Sequence, residues 1–214
     1  MMRSDTLLTL IVPAYNEAEN VEQVLDVVVK MPDFQQIVVI DDGSVDGTYD
    51  RINKYQVESI RFDYNRGKGA AIWAGVKCAR HPYVMLLDAD LIGLRETHLR
   101  SLIEPVVYGD AAMSLGLFGT GRFATDWAQR VAPNLSGQRV VRREVLESLP
   151  MIEHTRYGVE VALTRHVRHA GLKVVAVPLD ELTHRMKEEK LGLVPGVMAR
   201  MKMYWDIMRV LIRS

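Results

Sequence analysis

The chain has 214 residues, 27 basic against 27 acidic side chains and 48% hydrophobic residues, which bounds it to one sizeable globular domain and excludes a nucleic-acid partner recruited by net charge. Its single cysteine, Cys78, rules out an internal disulfide and fits a reduced compartment; beside Trp73, Ala74, Val76 and Ala79 it reads as a packing residue. Neither a signal-like N-terminus nor a run of the roughly 18 apolar residues needed to cross a bilayer is present, so the expected location is cytoplasmic.

Residues 7–12 are apolar but for Thr9 and read as a strand covered on both faces, ended by Pro13. A turn of Ala14, Tyr15, Asn16 and Glu17 leads into a helix over residues 19–29, where Val21, Val24, Leu25 and Val28 recur at helical spacing. The unit then repeats. A strand at 37–40 runs into Asp41-Asp42-Gly43-Ser44-Val45-Asp46-Gly47-Thr48, followed by a short helix to residue 53. Alternating strand and helix is the pattern of a parallel sheet with right-handed crossovers. The acidic loop sets Asp42, Ser44, Asp46 and Gly47 where an EF-hand calcium loop wants its first ligands and its glycine, but Asn53 replaces the bidentate glutamate at the twelfth position. It reads better as a polar pocket edge, with Asp46 capping the next helix and Asp42 accepting a hydrogen bond from a nucleobase.

A third strand at 59–62 precedes Asn65-Arg66-Gly67-Lys68-Gly69, where glycines flank a lysine at a helix start. Such a turn lets the backbone approach a phosphate while the lysine adds a point charge; the spacing is that of neither a Walker loop nor a dinucleotide fingerprint. Tyr83-Val84-Met85-Leu86-Leu87 is then a buried strand that runs into Asp88-Ala89-Asp90. Acids closing an apolar strand put charge at the carboxyl edge of a sheet, where open α/β sheets bind ligands. Two hard oxygen donors there suit Mg²⁺ or Mn²⁺, and such an ion suits a diphosphate. A solvated strand end whose acids begin the next turn is the alternative for Asp88 and Asp90 taken alone.

Taken together and in order, IVPAYNEAENV, VVIDDGSVDGT, NRGKGAAIWAG and LLDADL resemble the nucleotide-binding half of a family 2 type glycosyltransferase with the GT-A fold. The resemblance implies an α/β, Rossmann-like, mostly parallel sheet with helices on both faces, and a nucleotide-diphosphate sugar donor, UDP- or GDP-linked. It implies Pro13, Ala14, Tyr15, Glu17 and Asp42 around the base, Lys68 near the diphosphate, Ala89 near the ribose, and Asp88 with Asp90 at the metal.

In the second half, a helix is expected at 99–107, a strand at 111–117, and a flexible loop from Gly116 through Gly119 and Gly121 to Arg122. Ser136-Gly137-Gln138-Arg139, before a helix at 143–149, resembles the Ser-Gly-x-Arg segment of dolichol-phosphate mannose synthases, which assigns Ser136, Gly137 and Arg139 to the acceptor. A glycine turn with an arginine on a surface acid is the plainer reading. Val159, Leu163 and Val167 share one face of a further helix, leaving Glu160 in its first turn, where the dipole favours a carboxylate. Residues 156–163, with GKGAAIW, resemble glucosyl-3-phosphoglycerate synthases; Glu160 is then a base, an acceptor ligand or a capping acid. A strand at 173–178 precedes Thr183-His184-Arg185. The GT-A resemblance implies His184 as a third metal ligand, with Arg185, Lys187 and Lys190 beside the leaving diphosphate. Residues 195–214 pattern as a basic amphipathic helix that packs on the core or on a second subunit in a homodimer, or lies on the inner face of an anionic membrane.

These readings combine into a single GT-A domain over residues 1–214, with a nucleotide-binding half at 1–91, an acceptor half at 92–194 and the C-terminal helix. The expected activity is metal-dependent glycosyl transfer, with Asp90 and Glu160 as catalytic residues. A polyprenyl phosphate stands ahead of a small phosphorylated acceptor such as 3-phosphoglycerate, with Arg122, Arg139 and Arg156 available to its anion. A sugar-1-phosphate nucleotidyltransferase would need a glycine-rich loop with an arginine directly after the first strand, which is lacking. A non-catalytic nucleotide-sugar-binding or membrane-surface protein is the alternative of another class.

Overall fold

The computed structural model describes residues 7–118, 136–149 and 158–184. The expectations for Arg122, Arg156, Arg185, Lys187, Lys190 and the C-terminal helix lie outside the described residues. In chain order the elements are β1 (Leu8–Ala14), α1 (Val21–Val28), β2 (Gln36–Asp41), α2 (Thr48–Ile52), β3 (Glu58–Arg61), α3 (Lys68–Cys78), β4 (Tyr83–Leu86) and β5 (Leu91–Ile92). They continue with α4 (Glu96–Val107), β6 (Met113–Phe118), β7 (Arg139–Arg142), α5 (Arg143–Glu147), α6 (Val159–His169), β8 (Val174–Leu179) and β9 (Thr183–His184).

Seven strands form one sheet in the order β3-β2-β1-β4-β7-β6-β8. All neighbouring pairs are parallel except those of β7, which runs antiparallel to both β4 and β6. The apolar strands are covered on both faces, as continuous hydrophobic runs require. Leu8, Leu10 and Val12 of β1 pack with Val24 and Leu25 of α1 and Leu99 and Leu102 of α4. Ile11, between them in sequence, points the other way into Ala71, Ile72 and Val76 of α3 and Leu163 and Val167 of α6. The mostly parallel α/β sheet with helices on both faces is thus present.

Several local expectations change. Pro13 does not end β1, because the β1–β4 ladder already stops at Ile11–Leu86 while pairing with β2 continues through Pro13–Ile40 and Ala14–Asp41. Its missing N–H falls on the side where no partner strand remains. Gly116, Leu117 and Phe118 are not flexible loop: they lie in β6, paired with Val177, Pro178 and Leu179 of β8. β7 was not expected at all, since Arg-Val-Val-Arg is short and flanked by charge; its position between β4 and β6 makes it a strand. Cys78 is exposed. It lies two residues past buried Val76, about 200° around the helix from the packed face.

Candidate active site

The loops after β1 and β2 leave the sheet at the same edge and are laced together. Asn16, at a left-handed φ of 55°, donates its N–H to Ser44 Oγ (2.9 Å), and its Oδ1 accepts from the Val45 N–H (3.1 Å). Asparagine is among the few non-glycine residues that take this conformation readily. Glu17 N–H donates to Thr48 Oγ1 (2.8 Å) and Ala18 N–H to Asp46 Oδ2 (3.1 Å). The N-cap of α2 is Gly47 and not Asp46 as expected; Asp46 stands one residue before it and accepts from the N–H of Thr48, the first helical residue, at 3.0 Å. Burial alone would raise its pKa; the Thr48 and Ala18 donors outweigh that and hold the carboxyl below its ordinary value. On this rim Tyr15 is exposed, Ala14 is buried, and Glu17 accepts from Asn20 Nδ2 (2.9 Å). A recess of about 340 Å³ adjoins it, lined by Gly43, Ser44, Val45, Arg61, Phe62 and Asp63. The larger recess, about 620 Å³, lies at the opposite sheet edge and includes none of the candidate site residues.

Asp42 is buried, and its carboxylate accepts from Asn65 Nδ2 (3.0 Å), the Arg66 N–H (2.7 Å) and the Gly67 N–H (2.9 Å). Burial raises its pKa, and the two backbone donors oppose the shift. The acid expected to meet a nucleobase therefore holds the turn that leads to Lys68. That turn needs glycine, since Gly67 has a φ of 97°. With Asp42 bound to residues 65–67 and Asp46 to residues 18 and 48, the acidic loop does not wrap a calcium ion.

At the end of β4 the site's charges converge. Lys68, the first residue of α3, places Nζ 2.6 Å from Asp88 Oδ1 and 2.5 Å from Glu160 Oε1. Burial on its own would depress the ammonium; the two carboxylates outweigh it and hold the pKa of Lys68 above its ordinary value. Asp88 Oδ2 accepts from Gln138 Nε2 at 2.9 Å. The pairing of Leu86 with Arg139 explains this contact, because continuing the antiparallel register carries Leu87 and Asp88 past Gln138 and Gly137. Gly137 sits so close that a Cβ there would lie 2.1 Å from Asp88 Oδ2.

Arg139, expected beside the acceptor, is instead wholly buried beneath the carboxylates. Its Nε donates to the Ser136 carbonyl (2.7 Å) and its Nη1 to Thr164 Oγ1 (2.6 Å). Burial lowers its pKa to about 10, and the charges of Glu160 and Asp88 resist the shift. A side chain with no exposed surface does not present its guanidinium to a ligand, so its acceptor-binding assignment gives way to a supporting one.

The donor set at this edge fits a divalent cation. Asp88 and Asp90 supply hard oxygens two residues apart, and Asp88 and Glu160 both stand against the ammonium of Lys68. The described side chains include no group of three or more His, Cys, Asp or Glu arranged to hold a metal, so phosphate oxygens and water would complete the shell. The β5–β9 ladder pairs His184 with Leu91, the residue after Asp90, which brings the backbone of the third expected ligand beside the acids.

The model of the family described as glycosyl transferase family 2 matches residues 9–167. The chain belongs to this family. Among curated relatives, the dolichyl-phosphate beta-glucosyltransferase of Dictyostelium discoideum is 30% identical over 126 residues, 51% of this chain and 38% of that protein. The dolichol-phosphate mannosyltransferase of Pyrococcus furiosus is 28% identical over 212 residues, 86% of this chain and 59% of that protein. The chain thus spans less than two thirds of the length of these relatives. Among solved structures, glucosyl-3-phosphoglycerate synthase from Mycobacterium tuberculosis, in complex with Mn²⁺, UDP and glucosyl-3-phosphoglycerate, superposes with a TM-score of 0.71 at 25% identity, covering 83% of this chain and 71% of that one.

For a family 2 chain, the geometry joins residues that are far apart in sequence. Lys68, Asp88, Glu160 and segment 136–139 form one connected group, Asp90 follows it in the chain, and the loops bearing Pro13 to Glu17 and Asp42 border it. Gln138 was missed. It occupies the unspecified position of Ser-Gly-x-Arg, and a glutamine before a short valine pair carries no sequence signal of its own. Thr164, which receives Arg139 and donates to the Glu160 carbonyl at 2.8 Å, was likewise hidden in a helix interior.

Proposed function

We propose that this family 2 chain transfers a sugar from a nucleotide-diphosphate sugar to a phosphate-bearing acceptor with the help of a divalent cation. The observation that carries this reading is the meeting of Lys68, Asp88 and Glu160 at the carboxyl edge of β4. Asp88 and Asp90 would hold Mg²⁺ or Mn²⁺ with His184, and the bound ion would supply Lewis-acid stabilisation of the leaving diphosphate. Lys68, kept protonated, adds a fixed positive charge to the same leaving group. In this reading Glu160 accepts the proton of the attacking hydroxyl. The rim of Pro13, Ala14, Tyr15, Glu17, Ala89 and the acidic loop would receive the nucleoside, and Arg185 the diphosphate.

The mannosyl- and glucosyltransferase relatives support a polyprenyl phosphate as acceptor. A second reading, transfer to a small acceptor such as 3-phosphoglycerate, is favoured by the Lys68–Glu160 contact. It joins the two stretches that resemble glucosyl-3-phosphoglycerate synthases, one of which is known with Mn²⁺, UDP-glucose and phosphoglyceric acid. Among the described residues no helix is long and apolar enough to cross a membrane. Residues 1–214 would act as one unit, with residues 195–214 meeting a membrane surface or a second copy.

Calorimetry with UDP and GDP, with and without EDTA, tests the donor half: affinity for one of them must fall on chelation. Transfer from the corresponding sugar donor to dolichyl phosphate in detergent and to 3-phosphoglycerate then decides the acceptor. Equal nucleotide affinity with and without metal, and no transfer to either acceptor, would refute the reading.

A further inference from the structure

We infer that Gln138 is a positioning residue for Asp88, so that segment 136–139 serves the reaction through a carboxylate and not by touching the acceptor. Gln138 is 0% exposed, and a buried amide is costly unless all of it is bonded. A carboxylate only accepts, so the amide NH₂ must face Asp88 Oδ2, and the amide oxygen must face the other way. There Ser136 Oγ donates to Oε1 at 3.2 Å. The amide is therefore held in one orientation from both ends. Lys68 holds the other oxygen of Asp88 at 2.6 Å, so a turn of the carboxylate plane would break at least one of the two bonds. Gly137 closes the remaining side, since the space of a Cβ is taken by Asp88 itself.

The segment is anchored from behind. Arg139 bonds the Ser136 carbonyl and Thr164 Oγ1, and Thr164 bonds the Glu160 carbonyl in turn. Segment 136–139 is thus tied to the side chain of one acid and to the backbone of the other. A leucine or methionine would fill the same buried space without the cost of desolvating an amide. Glutamine is warranted there if the orientation of Asp88 matters to what Asp88 holds.

The inference rests on the reading that Asp88 faces the donor's metal and diphosphate. The test compares wild type, Gln138→Met and Asp88→Ala by calorimetry with Mn²⁺ plus UDP and with uridine alone, alongside thermal melts. Loss of a partner that orients a metal ligand costs about 10- to 100-fold in metal affinity. Gln138→Met should lose that much affinity for Mn²⁺ with UDP and bind uridine as wild type does, which a purely structural role would not produce. Gln138→Glu, which keeps the shape but turns an anionic oxygen toward Asp88, should lose at least as much, and is read in the same way if the methionine variant does not fold. Wild-type Mn²⁺–UDP affinity in the Gln138 variants, with loss in Asp88→Ala, overturns the inference alone. Wild-type affinity in Asp88→Ala as well overturns the reading of the site along with it.

Discussion

Removing Lys68 tests the centre of the site. Its ammonium contacts Asp88 and Glu160 at 2.6 and 2.5 Å, with side-chain exposures of 24%, 21% and 11% for the three groups. An ion pair on an open surface is worth about 0.2–1 kcal/mol, whereas a hydrogen bond between charged groups in a sheltered place contributes about 1.5–3 kcal/mol. The exposures put the Lys68–Glu160 pair in the second class. A double-mutant cycle with Lys68→Met, Glu160→Gln and the double variant, read by urea unfolding, should therefore give a coupling of about 1.5–3 kcal/mol. The Lys68 pKa is raised in the folded state, so its contribution is fully present below its unfolded value of 10.5 and is lost only as pH rises through the folded value. Lys68 itself thus adds no pH dependence to the coupling between about pH 6 and about pH 9, and a flat value is expected there. The same Met variant should bind UDP more weakly and uridine unchanged. A coupling below about 0.5 kcal/mol, or one abolished by molar salt as an exposed pair would be, refutes the contact.

Gly137→Ala forces a methyl to within 2.1 Å of the Asp88 carboxylate unless something shifts, and should cost about 1–3 kcal/mol of stability, read by urea unfolding, together with affinity for metal-bound UDP, read by calorimetry. Asp42→Ala strands the buried Gly67 N–H, at about 1–3 kcal/mol, and frees the Arg66 N–H to water; amide exchange at Arg66 and Gly67 should accelerate, and unchanged protection would refute the tether. Asp46→Ala removes a carboxyl whose pKa is lowered below its ordinary 3.8. Its stabilisation is present above that value and lost as pH falls through the folded one, so the stability gap between wild type and variant, read by urea unfolding, should close on acidification.

Local pattern made much of this chain legible. Val21, Val24, Leu25 and Val28 announced α1, and the apolar runs before Asp41 and Asp88 announced β2 and β4 together with the sheet edge at which their acids stand. Where pairing partners are distant in sequence, reading the pattern failed. Arg139-Val140-Val141-Arg142 is a strand only because β4 and β6 flank it, and Cys78 belongs to a helix whose packed face turns away from it. Arg139 looked like a cation for an anionic ligand, and it is instead completely buried, bonded to the Ser136 carbonyl and to Thr164 of α6. Sequence by itself determined which groups stand at the strand ends, because strand and helix periodicities are short-range and charge at the end of an apolar run has one place to go. Only the tertiary structure decided which of those groups meet: Lys68 with Glu160 across 92 residues, and Gln138 with Asp88 across 50. Those meetings depend on the order and direction in which β4, β7 and β6 pair, and on the helices laid over them, which no local spacing encodes.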